Sequence, residues 1–177
     1  MSLYLIELAP AAAGKDAVRP LLDAVSTAVA GTGAELIESQ VTADLGRVFV
    51  IVEAGSPEGL AETVREALGG SVTEVTGPDE VRLVGAELED LKQLKGQTDF
   101  LVEWDIPAEI TMEQYLARKK ANSPKYAEVP EVSFLRTYVR EDTAKCLCFY
   151  NAPDEDAVER ARAAVGTPFD RMFKLSV

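Results

Sequence analysis

The chain repeats itself at an offset of 96 residues. Tyr4-Leu5-Ile6-Glu7-Leu8-Ala9 lines up with Phe100-Leu101-Val102-Glu103-Trp104-Asp105. At the same offset Pro57 meets Pro153, Ala61 meets Ala157 and Gly70 meets Gly166. Ungapped anchors at one offset argue duplication of a whole unit. Each unit is too small to bury much alone, whereas two copies can cover each other's open sheet faces.

The first unit opens with alternating Leu3 to Leu8, a strand. Val18, Leu21, Leu22, Val25 and Val29 then recur at helical spacing over 15–30, with Pro20 tolerable only in the first turn. Gly31-Thr32-Gly33 stops that helix. Two strands, 35–42 and 47–54, flank a turn at Asp44-Leu45-Gly46. Ser56 as N-cap and Pro57 at the first helical position predict a second helix that ends at Gly69-Gly70. An extended segment over 72–85 carries Gly77-Pro78 as a break or turn. In the second unit the strands are 100–105, 132–139, 145–150 and 171–177, and the helices 111–121 and 153–165. Thr111 and Gln114 have the spacing of a capping box. A polar linker, 87–98, includes Leu88, Leu91 and Leu94, enough for one or two helical turns.

Each copy is thus β-α-β-β-α-β, the order of a ferredoxin-like plait. The predicted fold class is α+β: two tandem plaits, 1–86 and 99–177, packed sheet to sheet as a fused pseudo-dimer of the dimeric α/β-barrel kind.

Strand alternation assigns the faces. If Arg140 pairs with Lys145 across the hairpin, Leu135, Thr137 and Val139 share a face with Cys146, Cys148 and Tyr150, and Phe134, Arg136 and Tyr138 take the other. Val48, Val50 and Val52 occupy the positions of Ala144, Cys146 and Cys148, so the cysteine row belongs to the helix-side core. Glu7 and Glu103 fall on the open face. The expected interface between repeats therefore carries Glu7, Glu38, Gln40, Glu53, Glu103, Asp105, Arg136 and Tyr138. Buried carboxylates there must be paired, protonated or bound to a cation. Glu103, Arg136, Tyr138 and Glu7 are the candidate ligand-binding residues. Glu7, Glu103 and Asp105 are the candidate metal ligands, and an ion pair with Arg136 is the alternative use of the two glutamates.

The net charge of -12 repels phosphate backbones and argues against nucleic-acid partners. The longest apolar runs are strand-length, so no membrane helix is expected. Met1-Ser2-Leu3 enters a strand without a secretory signal, which makes cytoplasmic residence the expectation. The chain has no histidine, which excludes Ser-His and Cys-His nucleophiles and any imidazole-ligated metal. Cys146 and Cys148 are the only cysteines. Neighbours two apart on a strand are poorly aimed for an unstrained disulfide, and one Cys-x-Cys supplies at most two soft ligands. A structural core role is the expectation for both thiols. Arg118-Lys119-Lys120 with Lys125 and Tyr126 forms the one basic island, either a solvated helix face or a seat for an anion or acidic partner.

Four stretches carry a resemblance: Phe100-Leu101-Val102-Glu103; Arg136-Thr137-Tyr138-Val139 followed by Glu141-Asp142; Cys148-Phe149-Tyr150-Asn151-Ala152-Pro153-Asp154-Glu155; and Gly166-Thr167-Pro168-Phe169-Asp170-Arg171. Over about 99–174 the chain resembles a small bacterial ferredoxin-like family, long labelled a domain of unknown function, with a nickel-binding member. The first repeat is a diverged copy. The resemblance implies plaits that pair into dimers and a divalent metal such as nickel as the ligand. Many members carry a His where this chain has Arg136 and another near Ala161, so a cation here would use carboxylates or Cys146 and Cys148.

Three functions are consistent with these residues. One is non-catalytic binding of a small ligand or metal ion in the cleft between repeats, by a monomeric pseudo-dimer or a homodimer. Another is a cofactor-independent monooxygenase or isomerase with Glu103, Arg136 and Tyr138 in its cavity. The last is a structural or partner-binding module.

Overall fold

Alternation and helical period act locally, and the elements they produce appear in order. In the computed structural model, which describes residues 1–12, 14–93 and 97–176, these are β1 (Ser2–Pro10), α1 (Lys15–Gly31), β2 (Glu35–Val41), β3 (Val48–Ala54), α2 (Leu60–Leu68), β4 (Val72–Val84), α3 (Leu88–Gln93), β5 (Phe100–Asp105), α4 (Met112–Asn122), β6 (Ser133–Arg140), β7 (Lys145–Asn151), α5 (Glu155–Ala164) and β8 (Arg171–Lys174). Two compact units result, Met1–Val81 with Ser176, and Arg82–Leu175. Leu94 of the expected linker helix lies outside the described residues.

In the first unit the strands run β2-β3-β1-β4, all neighbours antiparallel. Val48, Val50 and Val52 of β3 join Tyr4, Ile6 and Leu8 of β1 in one apolar row. Val18, Leu21, Val25 and Val29 of α1 and Leu60, Val64 and Leu68 of α2 pack on that row. Pro20 lies inside α1, past the first turn. Its ring removes one helical hydrogen bond, but four buried side chains on one stripe outweigh a cost of about 3 kcal/mol. Leu45, not Gly46, takes the left-handed conformation in the β2–β3 turn, at φ 61°. The Asp44 carboxylate supports it by accepting hydrogen bonds from Thr42 Oγ1 at 2.6 Å and the Gly46 amide at 2.9 Å. The second unit repeats the device, with Thr143 at φ 60° and Asp142 accepting from the Ala144 amide at 3.0 Å.

The start of α2 departs from the sequence expectation. Ser56 and Pro57 form a turn, in which Ser56 Oγ accepts from the Glu58 amide at 3.2 Å, and Gly59 at φ 77° leads into the helix at Leu60. The left-handed residue separates the Ser-Pro start signal from the helix that follows. The segment around Gly77-Pro78 does not end β4. The strand continues through it, and the β1–β4 register shifts between Leu5 and Glu7.

The second unit has the matching order β6-β7-β5-β8. The hairpin register is that of the alternation argument from Val139↔Cys146 to Arg136↔Phe149. A shift between Phe134 and Arg136 then makes Phe134 partner Tyr150, and the Phe134 ring packs on the helix-side core instead of the opposite face. An extra residue in one strand reverses the facing beyond it. β8 stops at Lys174, short of the expected end at Val177, which lies outside the described residues. α4 has the full capping box, Gln114 N to Thr111 Oγ1 at 3.2 Å and Thr111 N to Gln114 Oε1 at 2.9 Å. Asp154 caps α5 through the Ala157 amide at 2.8 Å.

The buried faces of α2 (Leu60, Ala61, Val64, Leu68) and α5 (Ala157, Val158, Ala161, then Val165) coincide one residue further along than the 96-residue offset. Gly69 at φ 51° thereby matches Gly166 at φ 66°, and Arg65 matches Arg162. Arg65 is exposed and donates to the Val75 carbonyl, whereas Arg162 is 3% exposed and donates to the Pro168 carbonyl at 2.5 Å.

Candidate functional site in the second repeat

Where the first unit has a row of valines, the second has two thiols and a buried cation. Cys146 and Cys148, neighbours on the helix side of β7, are both free and 1% exposed, with their sulfurs 4.0 Å apart. Thr137 Oγ1 donates to Cys148 Sγ at 3.2 Å from β6. Arg162 reaches in from α5 and directs Nη1 at Cys148 Sγ (3.5 Å) and at the Tyr150 hydroxyl (3.1 Å). The Tyr150 and Tyr126 hydroxyls are 2.6 Å apart. Arg162 Nε is buried without an acceptor, and the buried Tyr115 hydroxyl has only the Cys146 sulfur as a weak partner. An unpaired buried donor costs about 1–3 kcal/mol, so a site that keeps one beside a weakly bonded hydroxyl is a candidate for taking up something else.

Both groups line a cavity of about 20 Å³ with Trp104, Cys146 and Cys148, and Arg118, Lys119 and Asn122 on its α4 side. That volume is room for one water or one ion; an organic ligand needs a cavity of about 300 Å³ or more. Arg118 stacks 5.5 Å from the Trp104 ring centroid and bonds the Gly166 carbonyl at 2.6 Å. Lys119 Nζ stands 4.4 Å from the Phe134 centroid. The basic island therefore does more than face solvent, because two of its cations border the thiol cavity.

The two thiols are joined by a hydrogen bond and titrate as a pair. A hydrogen bond from the Cys146 thiol, aided by the positive charges of Lys119 and Arg162 and by Thr137, pulls Cys148 well below the usual thiol range against the effect of burial. The same hydrogen bond and burial push Cys146 well above it. Burial raises Tyr126 to about 12 and holds Tyr115 and Tyr150 protonated.

The open-face candidates have other surroundings. Glu103 is fully buried and meets Lys145 Nζ at 3.1 Å and Arg171 Nε. Burial raises its pKa, but the Arg171 hydrogen bond and the Lys145 charge outweigh that and hold it below the usual carboxylate range. Asp105 takes the other side of the Arg171 guanidinium, at 2.6 and 3.0 Å, and its pKa is lowered by that hydrogen bond. Arg136 is 3% exposed, stacks 4.6 Å from the Phe149 centroid and bonds Thr98 Oγ1 at 3.3 Å. Tyr138 packs edge-on against Phe149, ring centroids 5.6 Å apart. Glu7, in the first unit, is 3.8 Å from Arg47 Nη1, in an open groove with Glu74 and Thr76. Glu103 and Asp105 are thus brought together through Arg171, a cation the sequence reading did not assign. Among the described residues, no group of three or more Cys, Asp or Glu side chains could hold a metal ion.

Every residue lining the thiol cavity lies between Trp104 and Thr167. Residues 100–175 match the family model of the SCO4226-like nickel responsive proteins. The SCO4226 structure from Streptomyces coelicolor A3(2) is 18% identical, over 44% of this chain and 95% of that one, with a TM-score of 0.38. Two further structures match almost the whole chain. A proposed chlorite dismutase is 13% identical over 100% of this chain and 96% of its own, TM-score 0.58. A proposed monooxygenase from Lactobacillus acidophilus NCFM is 11% identical over 99% of this chain and 94% of its own, TM-score 0.56. At these identities the likeness shows the fold, ferredoxin-like and of the dimeric α/β-barrel kind. No curated protein matches the sequence.

Sequence reasoning missed Arg162, Tyr115 and Trp104 as site residues. Arg162 had a readable signal: it falls on the α5 stripe with Val158 and Val165, where a charged side chain must be buried or break the pattern. Tyr115 and Trp104 had none, because aromatics on an apolar face read as core.

Proposed function

We propose that the chain is a non-catalytic binding protein for a metal ion or a ligand of similar size, held in the cavity of its second repeat. The observation that carries this is a cavity of about 20 Å³ lined by two thiols, the unpartnered Arg162 Nε and the Tyr115 hydroxyl, whose one partner is the Cys146 sulfur. The match of residues 100–175 to a nickel responsive family supports the same reading. The residues do not fit a nickel site built on imidazoles, since the chain has no histidine. Glu103 and Asp105 are the weaker place for a cation, because Lys145 and Arg171 already neutralise them and would have to be displaced. Cytoplasmic residence belongs to this reading, because a reducing compartment keeps the thiols free. The monooxygenase or isomerase alternative rests on the fold alone, and a fold does not carry an activity.

Trp104 is the only tryptophan and borders the cavity, so its fluorescence reports on occupancy. Titration with nickel(II), zinc(II), copper(I) and small inorganic anions should change that emission for at least one of them. The same ligand at about 100 times its Kd should stabilise the fold by about 2.7 kcal/mol. If none of them changes either emission or melting temperature, the binding reading fails.

A further inference from the structure

We infer that Cys146 and Cys148 form a two-sulfur site for a soft monovalent metal ion, copper(I) in biological terms, with Arg162 as its built-in counter-charge. This rests on the cavity being an ion site and says which ion it suits. Sulfurs bonded to one ion at about 2.3 Å each can lie up to about 4.6 Å apart. The 4.0 Å separation lets one ion touch both, with the remaining coordination position open. Thiolates are soft ligands and select copper(I) over hard cations. No carboxylate lines the cavity, and the described residues offer no third Cys, Asp or Glu to complete a tetrahedral zinc site.

Charge decides between the remaining ions. Binding displaces to solvent the thiol protons that the pair still holds and leaves two thiolates. A monovalent ion between them leaves one negative charge, which Arg162, 3.5 Å from Cys148 Sγ, cancels. A divalent ion would leave the Arg162 charge uncompensated in a buried site, where an unpaired charge costs several kcal/mol. The Tyr115 hydroxyl, already beside the Cys146 sulfur, and the unpartnered Arg162 Nε are then donors for a metal-bound thiolate or for a ligand in the open position. Arg118 and Lys119 border the cavity and disfavour entry of a bare cation. They favour delivery as an anionic thiolate complex that exchanges ligands with the two cysteines.

The first repeat provides the control variants. It has Val50 and Val52 in its core where the second has Cys146 and Cys148, so Cys146→Val and Cys148→Val suit their surroundings. The full chain, reduced and free of oxygen, is titrated with copper(I) against a chromophoric copper(I) chelator, and separately with nickel(II). One copper(I) per chain should transfer from the chelator, with new ultraviolet absorption from thiolate-to-copper charge transfer. Either valine variant should weaken that binding by more than the roughly 100-fold that loss of an outer-shell partner can cost. Circular dichroism and a cooperative melt establish that each variant is folded. A chain that takes no copper(I) but responds to nickel(II) or an anion through Trp104 overturns this inference and leaves the binding reading standing. So does copper(I) uptake that a folded valine variant retains. Absence of any response overturns both.

Discussion

Single residues show where this fold has no slack. Gly77 is in the left-handed region at φ 100°, and a Cβ there would stand 2.4 Å from the Leu5 carbonyl oxygen. Both the conformation and the contact with backbone exclude a side chain. Gly77→Ala should destabilise the protein by about 1–3 kcal/mol, read as a lower denaturation midpoint in urea; an unchanged midpoint would mean that β1 and β4 can separate there without cost. Leu45 and Thr143 show the opposite solution. Each occupies a left-handed position without being glycine, and an aspartate one residue earlier offsets the strain by hydrogen-bonding the amide two residues on. In both turns, the signal visible in sequence was the aspartate.

At the scale of elements, the two long helices differ in how they are started. The α4 helix has a reciprocal capping box, visible in sequence as Thr111 and Gln114, and Thr111→Ala should cost about 1 kcal/mol in a thermal or urea melt. The α1 helix has no side-chain cap and carries Pro20 in its interior, exposed to solvent. Pro20→Ala restores a backbone donor and should stabilise the protein by about 1–3 kcal/mol. A loss of stability instead would show that the proline restricts the unfolded chain more than it harms the helix. The strands were legible because alternation is a local property: the cysteine row was assigned inward from the valines of the other repeat, and β7 has that facing. Phe134 was not legible. The register shift beside it arises from the fit of β6 to β7, which no alternation within β6 announces.

At the scale of the whole molecule, acid should unfold the protein through its buried carboxylates. Glu103, held below its ordinary value of 4.5 by Arg171 and Lys145, contributes stability that is present above that value and lost as pH falls through its folded pKa. The melting temperature should therefore drop below pH 4.5. Glu103→Gln should lower stability near neutral pH by about 3 kcal/mol and flatten that acid limb; identical acid limbs in the two proteins would count against the role given to Glu103. The duplication itself was readable, and with it the element order of both plaits, because repeated hydrophobic patterns survive in one chain without any knowledge of contacts. The partners of each charge were not. Glu103 could be assigned to a face from its strand position, but its pairing with Lys145 and Arg171 joins residues 42 and 68 positions away. The thiol cavity depends in the same way on tertiary packing: Arg162 from α5, Tyr115 from α4 and two cysteines from β7 converge only when both helices dock on the sheet. The sequence by itself determined the repeat, the strand faces up to the β6 register shift and the Thr111 cap of α4, and those faces and that cap are set by neighbours within a few residues. Tertiary structure alone decided how those polar groups meet, because the partners of a buried charge are settled by the atoms that surround it and not by its place in a pattern.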